Sequence, residues 1–269
     1  MPSEKTATVA ITRIGAAPES AEDVVAVEEP LEISAAWQSE GVLREKTISV
    51  TMRTPGDDYD LAAGFLFTEG LIASGEDLES VRHWGPPNKV RVALTPGARI
   101  DASKLERHFY TTSSCGICGK TSIEAVRLTL GALAAAEPVD ASVIRRLPAI
   151  LEEAQTAFRA TGGVHGAALV DRTGRLLCVR EDIGRHNAVD KVIGSYVRER
   201  ATPLPGTILM VSSRGGFEIV QKAAAAGIST VAFIGGPSSL AVDLARDLGM
   251  TLVGFVREGR FNVYTGVVR

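Results

Sequence analysis

Cysteine is scarce in this chain of 269 residues: there are three, an odd number. That excludes a disulfide-built scaffold and points to a reducing compartment. A strong excess of one charge is also missing, since the formal net charge is −3. A broad nucleic-acid-binding surface is therefore excluded, although local basic pockets are not. No apolar run approaches the roughly 20 residues of a membrane-spanning helix. The start, Met1-Pro2-Ser3-Glu4-Lys5, has no apolar signal-peptide region, so the expected location is cytoplasmic. What is present is ordinary for a soluble domain with a real core: 45% hydrophobic and 23% charged residues. The length fits one large domain or two unequal ones.

Residues 1–40 mix Ala, Glu, Ser and Pro and read as a flexible segment, with a short strand near Ala7–Ile11 as the alternative. Residues 41–110 read as a smaller α+β subdomain. Alternation over 46–53 predicts a strand, helical spacing over 57–72 a helix capped by Asp57 or Asp58, and Gly85-Pro86-Pro87-Asn88 the turn of a hairpin over 78–94. Residues 111–120 read as a mobile loop. The remainder, 121–269, reads as an α/β domain. It opens with a helix over 141–159 and a hairpin over 165–180. Amphipathic helices over 187–197, 217–226 and 239–248 then alternate with apolar strands at 207–211, 230–234 and 251–256, and a strand over 261–265 closes the chain. That rhythm predicts a largely parallel sheet covered on both faces.

Two of the cysteines lie in Ser113-Ser114-Cys115-Gly116-Ile117-Cys118-Gly119-Lys120. Thiols at this spacing can exchange a disulfide, bind a soft metal or carry sulfur as a persulfide. Lys120 and the glycines favour a reactive thiolate. Zinc needs four suitable ligands. Cys178 sits in an apolar strand pattern and reads as core, and the four histidines lack zinc-finger spacing, so no zinc is expected. A dithiol oxidoreductase would carry the pair at a helix start directly after a strand, whereas the preceding 105–114 is polar and helix-like.

Four further segments suit an anionic ligand. Glu181-Asp182-Ile183-Gly184-Arg185-His186-Asn187 opens a helix and places Asn187 and Lys191 on one face; a solvated helix face is the plainer reading. Ser213-Arg214-Gly215 follows an apolar strand, where glycines allow close approach and an arginine can grip phosphate. Gly235-Gly236-Pro237-Ser238 repeats that arrangement one unit later. Phe255-Val256-Arg257-Glu258-Gly259-Arg260 forms a third turn at a strand end, where open α/β sheets bind ligands.

Taken in order, the segment Arg53-Thr54-Pro55-Gly56-Asp57-Asp58-Tyr59-Asp60 on to Leu66, the Cys115–Cys118 loop, the Glu181–Lys191 segment, Ser213 to Lys222 and Gly254 to Arg260 resemble the FdhD family. The resemblance runs from about residue 45 to the end. It implies a cytidine-deaminase-like fold, a homodimer, and a sulfurtransferase that takes persulfide sulfur from a cysteine desulfurase. The recipient it implies is the molybdenum of the bis-molybdopterin guanine dinucleotide cofactor of formate dehydrogenase. Cys115 would carry the sulfur with Cys118 assisting, and 255–260 would contact the guanine dinucleotide. A non-enzymatic cofactor chaperone and a dithiol oxidoreductase are the rival expectations. Hydrolytic deamination is disfavoured: the Cys pair precedes His165, no proline leads it, and Ala167 stands where a deaminase needs Glu.

Overall fold

Leu31, Ile33 and Ala35 alternate with Glu32 and Ser34, which sends one face of a strand into a core. In the computed structural model, which describes residues 5–98, 133 and 137–269, that strand is β3 (Glu29–Ser39). It joins β4 (Val42–Arg53), β5 (Leu78–His83) and β6 (Lys89–Leu94) in a four-stranded sheet of order β4-β3-β6-β5. The expectation of a flexible segment over 1–40 is thereby corrected for the described residues 5–40. β3 lies in the middle of the sheet, and β1 (Thr6–Ile14) pairs antiparallel with β2 (Pro18–Ala26) ahead of it. Residues 1–40 look featureless because β1 and β2 are mostly solvated on both faces, so no burial pattern is imposed on them.

Helix α1 (Asp58–Thr68) packs on this sheet. Asp57 occupies its N-cap position but does not cap it with its side chain. The Asp57 carboxylate instead meets Lys5 at 3.1 Å and Arg180 at 3.5 Å.

The second unit begins with α2 (Ala141–Ala154) and α3 (Thr156–Thr161), where the spacing predicts one helix. The break at Gln155 has a chemical cause. Glu181 accepts from Ala157 N at 2.9 Å, Phe158 N at 2.7 Å and the Thr156 hydroxyl at 3.3 Å, so it caps a new helix start. Then follow β7 (His165–Asp171), β8 (Leu176–Asp182), α4 (Arg185–Arg198), β9 (Thr207–Val211) and α5 (Phe217–Ala225). The chain closes with β10 (Thr230–Phe233), α6 (Ser239–Asp247), β11 (Thr251–Gly254) and β12 (Asn262–Thr265).

These strands form a six-stranded sheet of order β12-β11-β10-β9-β7-β8. Only β9–β10 and β10–β11 pair in parallel; β7–β9, β7–β8 and β11–β12 are antiparallel. The expected largely parallel sheet is thus a mixed one, since hairpins supply both borders. Its faces are both covered. Leu209, Val211, Val231 and Leu252 belong to the core shared with α1 and α4, while Ile208, Met210, Ala232 and Val253 pack with α2. No helix among the described residues is long and apolar enough to cross a membrane.

The two units meet where α1 crosses α4. Gly64 lies against the Asp190 carbonyl and Gly194 against the Asp60 carbonyl, so a methyl group on either glycine would overlap backbone. Helices this close need glycine at the crossing.

Candidate functional site

Three consecutive parallel strands end on the same edge of the sheet, and the hairpin strands bring two more segments there. β7 runs against β9, so Ala167 pairs with Val211, and His165 pairs with Asp182 at the end of β8. The turns 212–216, 235–238 and 255–260, His165 and the start of α4 therefore share one edge.

Backbone hydrogen bonds lock the first two turns together. Gly215 N donates to Gly236 O at 3.1 Å, Ser238 N to Gly215 O at 2.9 Å, and Gly235 N to Ser213 O at 3.1 Å. Ser213 is buried, and its hydroxyl donates to the Arg214 carbonyl at 3.0 Å. Ser212 accepts from Gly166 N at 3.0 Å and lies 3.4 Å from His165 Nδ1. Burial, helped by the charges of Arg185 and His186, pushes the His165 pKa below the usual histidine range. His165 therefore stays neutral near pH 7.

The third turn is anchored through Phe255. Its N donates to Gly235 O at 3.0 Å, and its ring lies so close to Gly236 that a Cβ there would sit 2.7 Å from it. Phe255 adopts φ 51° and leaves its side chain 47% exposed. Val256 does the opposite: its side chain is wholly buried beside Ala232 and Val253. Arg257 closes the turn through bonds in both directions with Arg260 and donates through Nη1 to the Ile234 carbonyl at 2.8 Å. Arg257, Glu258, Gly259 and Arg260 are exposed. Arg185, Arg214 and Arg260 have no carboxylate partner among the described residues. The edge is accordingly basic and lined by close-approaching backbone, which suits a phosphorylated ligand.

The Glu181–Lys191 segment contributes mostly from below. Asp182 is fully buried and gathers four donors: Thr54 N at 3.2 Å, Gly184 N at 2.8 Å, Asn187 Nδ2 at 3.0 Å and Lys191 Nζ at 2.7 Å. Lys191 is itself wholly buried and also donates to the Thr54 carbonyl at 2.8 Å. Asn187 donates to Met52 O at 2.8 Å. So Asn187 and Lys191 fasten α4 to β4 and the turn that follows it, and neither is a solvated face. His186, which is half-buried, pairs with Glu218 at the start of α5, with Nε2–Oε2 at 2.9 Å. Asp182, Asp190, Glu218 and Lys222 are residues that sequence reasoning did not single out. Asp182 and Asp190 lay inside the motif itself, but spacing could not reveal their partners: Asp182 ends β8 and takes Lys191 from α4, and Asp190 takes Lys222 from α5.

Cys115 and Cys118 lie outside the described residues. Cys178 is half-buried, 3.7 Å from Ser195 Oγ, and burial pushes its thiol pKa up, so it is a packing residue rather than a nucleophile. Among the described residues no group of three or more His, Cys, Asp and Glu side chains could hold a metal.

The chain is similar to known proteins across nearly their whole length. A sulfur carrier protein FdhD from Streptomyces coelicolor is 46% identical over 258 residues, covering 92% of this chain and 89% of that protein. One of the same name from Mycobacterium tuberculosis is 44% identical over 256 residues, with 90% of each chain covered. A crystal structure from Desulfotalea psychrophila, described as that of a formate dehydrogenase accessory protein, superposes with a TM-score of 0.74 at 25% identity over 98% of both chains. The model of the FdhD/NarQ family matches residues 26–269, and the chain belongs to that family.

Proposed function

We propose that this chain is a sulfur carrier that serves formate dehydrogenase. The observation that carries the reading is the match, along about nine tenths of both chains, to relatives named sulfur carrier protein FdhD. In this reading Cys115 is the sulfurtransferase nucleophile. Its thiolate takes the terminal sulfur of a persulfide on a cysteine desulfurase; the donor's S–S bond breaks as the Cys115–S bond forms, and the donor leaves as a thiolate. The Cys118 thiolate then attacks Cys115 Sγ: a Cys115–Cys118 disulfide forms as the Cys115–S bond to the outer sulfur breaks, and that sulfur leaves as hydrosulfide. The recipient is the molybdenum of the bis-guanine-dinucleotide cofactor, which is cargo here and not a resident group.

The strand-end turns suit that cargo. Phe255 offers an exposed ring, Arg214 and Arg260 offer guanidinium groups without carboxylate partners among the described residues, and the Gly236 N–H is not used by the bonds that lock the turns. Arg257 and Glu258 frame the same turn. Val256, Ser213, Asn187 and Lys191 would act by holding these groups in place, because their own polar atoms or side chains are buried or engaged. We further read the six-stranded unit as deaminase-like in descent, and the working form as a homodimer.

Incubation with a desulfurase and cysteine should add about 32 Da, one sulfur atom, to Cys115, because only a thiolate accepts it. Formate dehydrogenase matured with Cys115→Ala should be inactive. Full activity with that variant would remove the carrier role. Activity that depends on the chain without any adduct would favour a cofactor chaperone, and a reversible Cys115–Cys118 disulfide with insulin reduction would favour an oxidoreductase.

A further inference from the structure

The β1–β2 hairpin precedes nearly all of the segment that the family model matches, which begins at residue 26. Nine residues in each strand give it a length of about 30 Å. It is tied down at its base, where Lys5 meets Asp57 and Val27 N donates to Lys5 O, and where α3 packs on it. Beyond that base it pairs with no other strand among the described residues. Two-stranded ribbons are marginal in water on their own. This one also exposes Val9, Ile14, Val24 and Val25.

A second strand edge lacks a partner among the described residues. β4 is the outer strand of the four-stranded sheet, and it exposes Val42, Leu43, Val50 and Met52. Its register against β3 shifts between Ile33 and Ser34, which leaves residues 42–47 as one straight run. The charges of the two edges are opposite. β2 carries Glu19, Glu22 and Asp23, against which the hairpin sets only Arg13. The straight run of β4 carries Arg44 and Lys46, and its one acid, Glu45, is taken by Arg91 at 3.3 Å.

We infer that two copies of the chain exchange hairpins, the acidic β2 edge of each adding to the basic 42–47 edge of β4 in the other. Strand addition supplies the backbone hydrogen bonds that both edges lack, and the exposed valines of each cover the other. Exchange in both directions closes a two-fold dimer, in which neither the β2 nor the β4 edge is left to recruit a third copy. The inference rests on the homodimer reading and adds where the contact lies.

Light scattering on the full chain at low salt should give a dimer mass. Glu19→Lys/Glu22→Lys/Asp23→Lys should weaken the dimer at least about tenfold, as should Arg44→Glu/Lys46→Glu, with unchanged circular dichroism. Mixing the two variants should restore a mixed dimer through one reversed pair of edges, and combining all five changes in one chain should restore both. Deleting residues 1–26 should leave a monomer. A full chain that is monomeric overturns this inference together with the homodimer reading. A dimer indifferent to both charge reversals, or to the deletion, overturns the hairpin exchange and leaves the homodimer reading standing.

Discussion

Lys222 sits at the most consequential buried charge in the molecule. Its ammonium donates to both Asp190 oxygens at 3.0 and 2.9 Å, to Thr68 at 2.8 Å and to Glu69 at 3.1 Å. Burial works against its charge, but Asp190 and Glu69 outweigh that and hold its pKa above the usual lysine range. Removing one partner strands the other in a dry interior. Lys222→Met should therefore cost about 3–5 kcal/mol in urea unfolding, whereas Lys222→Met/Asp190→Leu should be distinctly more stable than Lys222→Met alone. A half-buried residue in a turn gives a complementary prediction. The Thr173 hydroxyl, the Arg175 and Thr173 N–H groups and the Arg175 side chain hold the Asp171 carboxyl well below the usual carboxylate range. A depressed carboxyl contributes stability that is complete above its unfolded pKa of about 4 and is lost as pH falls toward the folded value. The wild-type chain should thus melt higher than Asp171→Asn at pH 6. That gap should shrink on acidification below pH 4; a gap that stays constant with pH would mean the turn is held by something other than the ionised carboxylate.

At the scale of elements, the α1–α4 crossing makes the firmest prediction. Gly194→Ala places a methyl group against the Asp60 carbonyl, and backbone cannot yield as a side-chain end can. The variant should lose about 1–3 kcal/mol or more, read as a lower urea midpoint at unchanged slope. What the sequence made legible follows the same logic. β9, α5 and α6 fell within a residue of their predicted bounds, because a continuous apolar run marks the strand, and apolar spacing with a closing glycine marks each helix. The helix over 141–159 did not survive, because its break depends on Glu181, more than twenty residues away and on another strand. The direction of β7 was equally hidden: an apolar run shows that a strand is buried, not which neighbour it joins. At the site, the glycine turns and arginines were readable from their place after apolar runs. The fates of Asn187 and Lys191 were not, since solvated and buried ion-paired faces share the same helical spacing, and only the arrival of Thr54 and Asp182 distinguishes them.

On the scale of the whole molecule, the question is whether the two sheets are separable. One core runs through both: Leu31, Ile33, Val90 and Val92 of the four-stranded sheet share it with Leu209, Val231 and Leu252 of the six-stranded one, with α1 and α4 between them. Partly buried ion pairs cross the same boundary, Lys222 to Glu69 from α5 and Arg180 to Asp60 from β8. Neither unit could leave the other without exposing that core and stranding those charges, a penalty that favours all-or-none unfolding. The chain carries a probe for this. Its two tryptophans, Trp37 in β3 and Trp84 just after β5, both belong to the four-stranded unit, whereas far-ultraviolet circular dichroism is dominated by the helices of the other. Tryptophan fluorescence and circular dichroism should therefore report one urea midpoint and one slope. A fluorescence transition at clearly lower urea would show that the four-stranded unit unfolds first, and that the shared core and its ion pairs do not bind the two into a single cooperative unit.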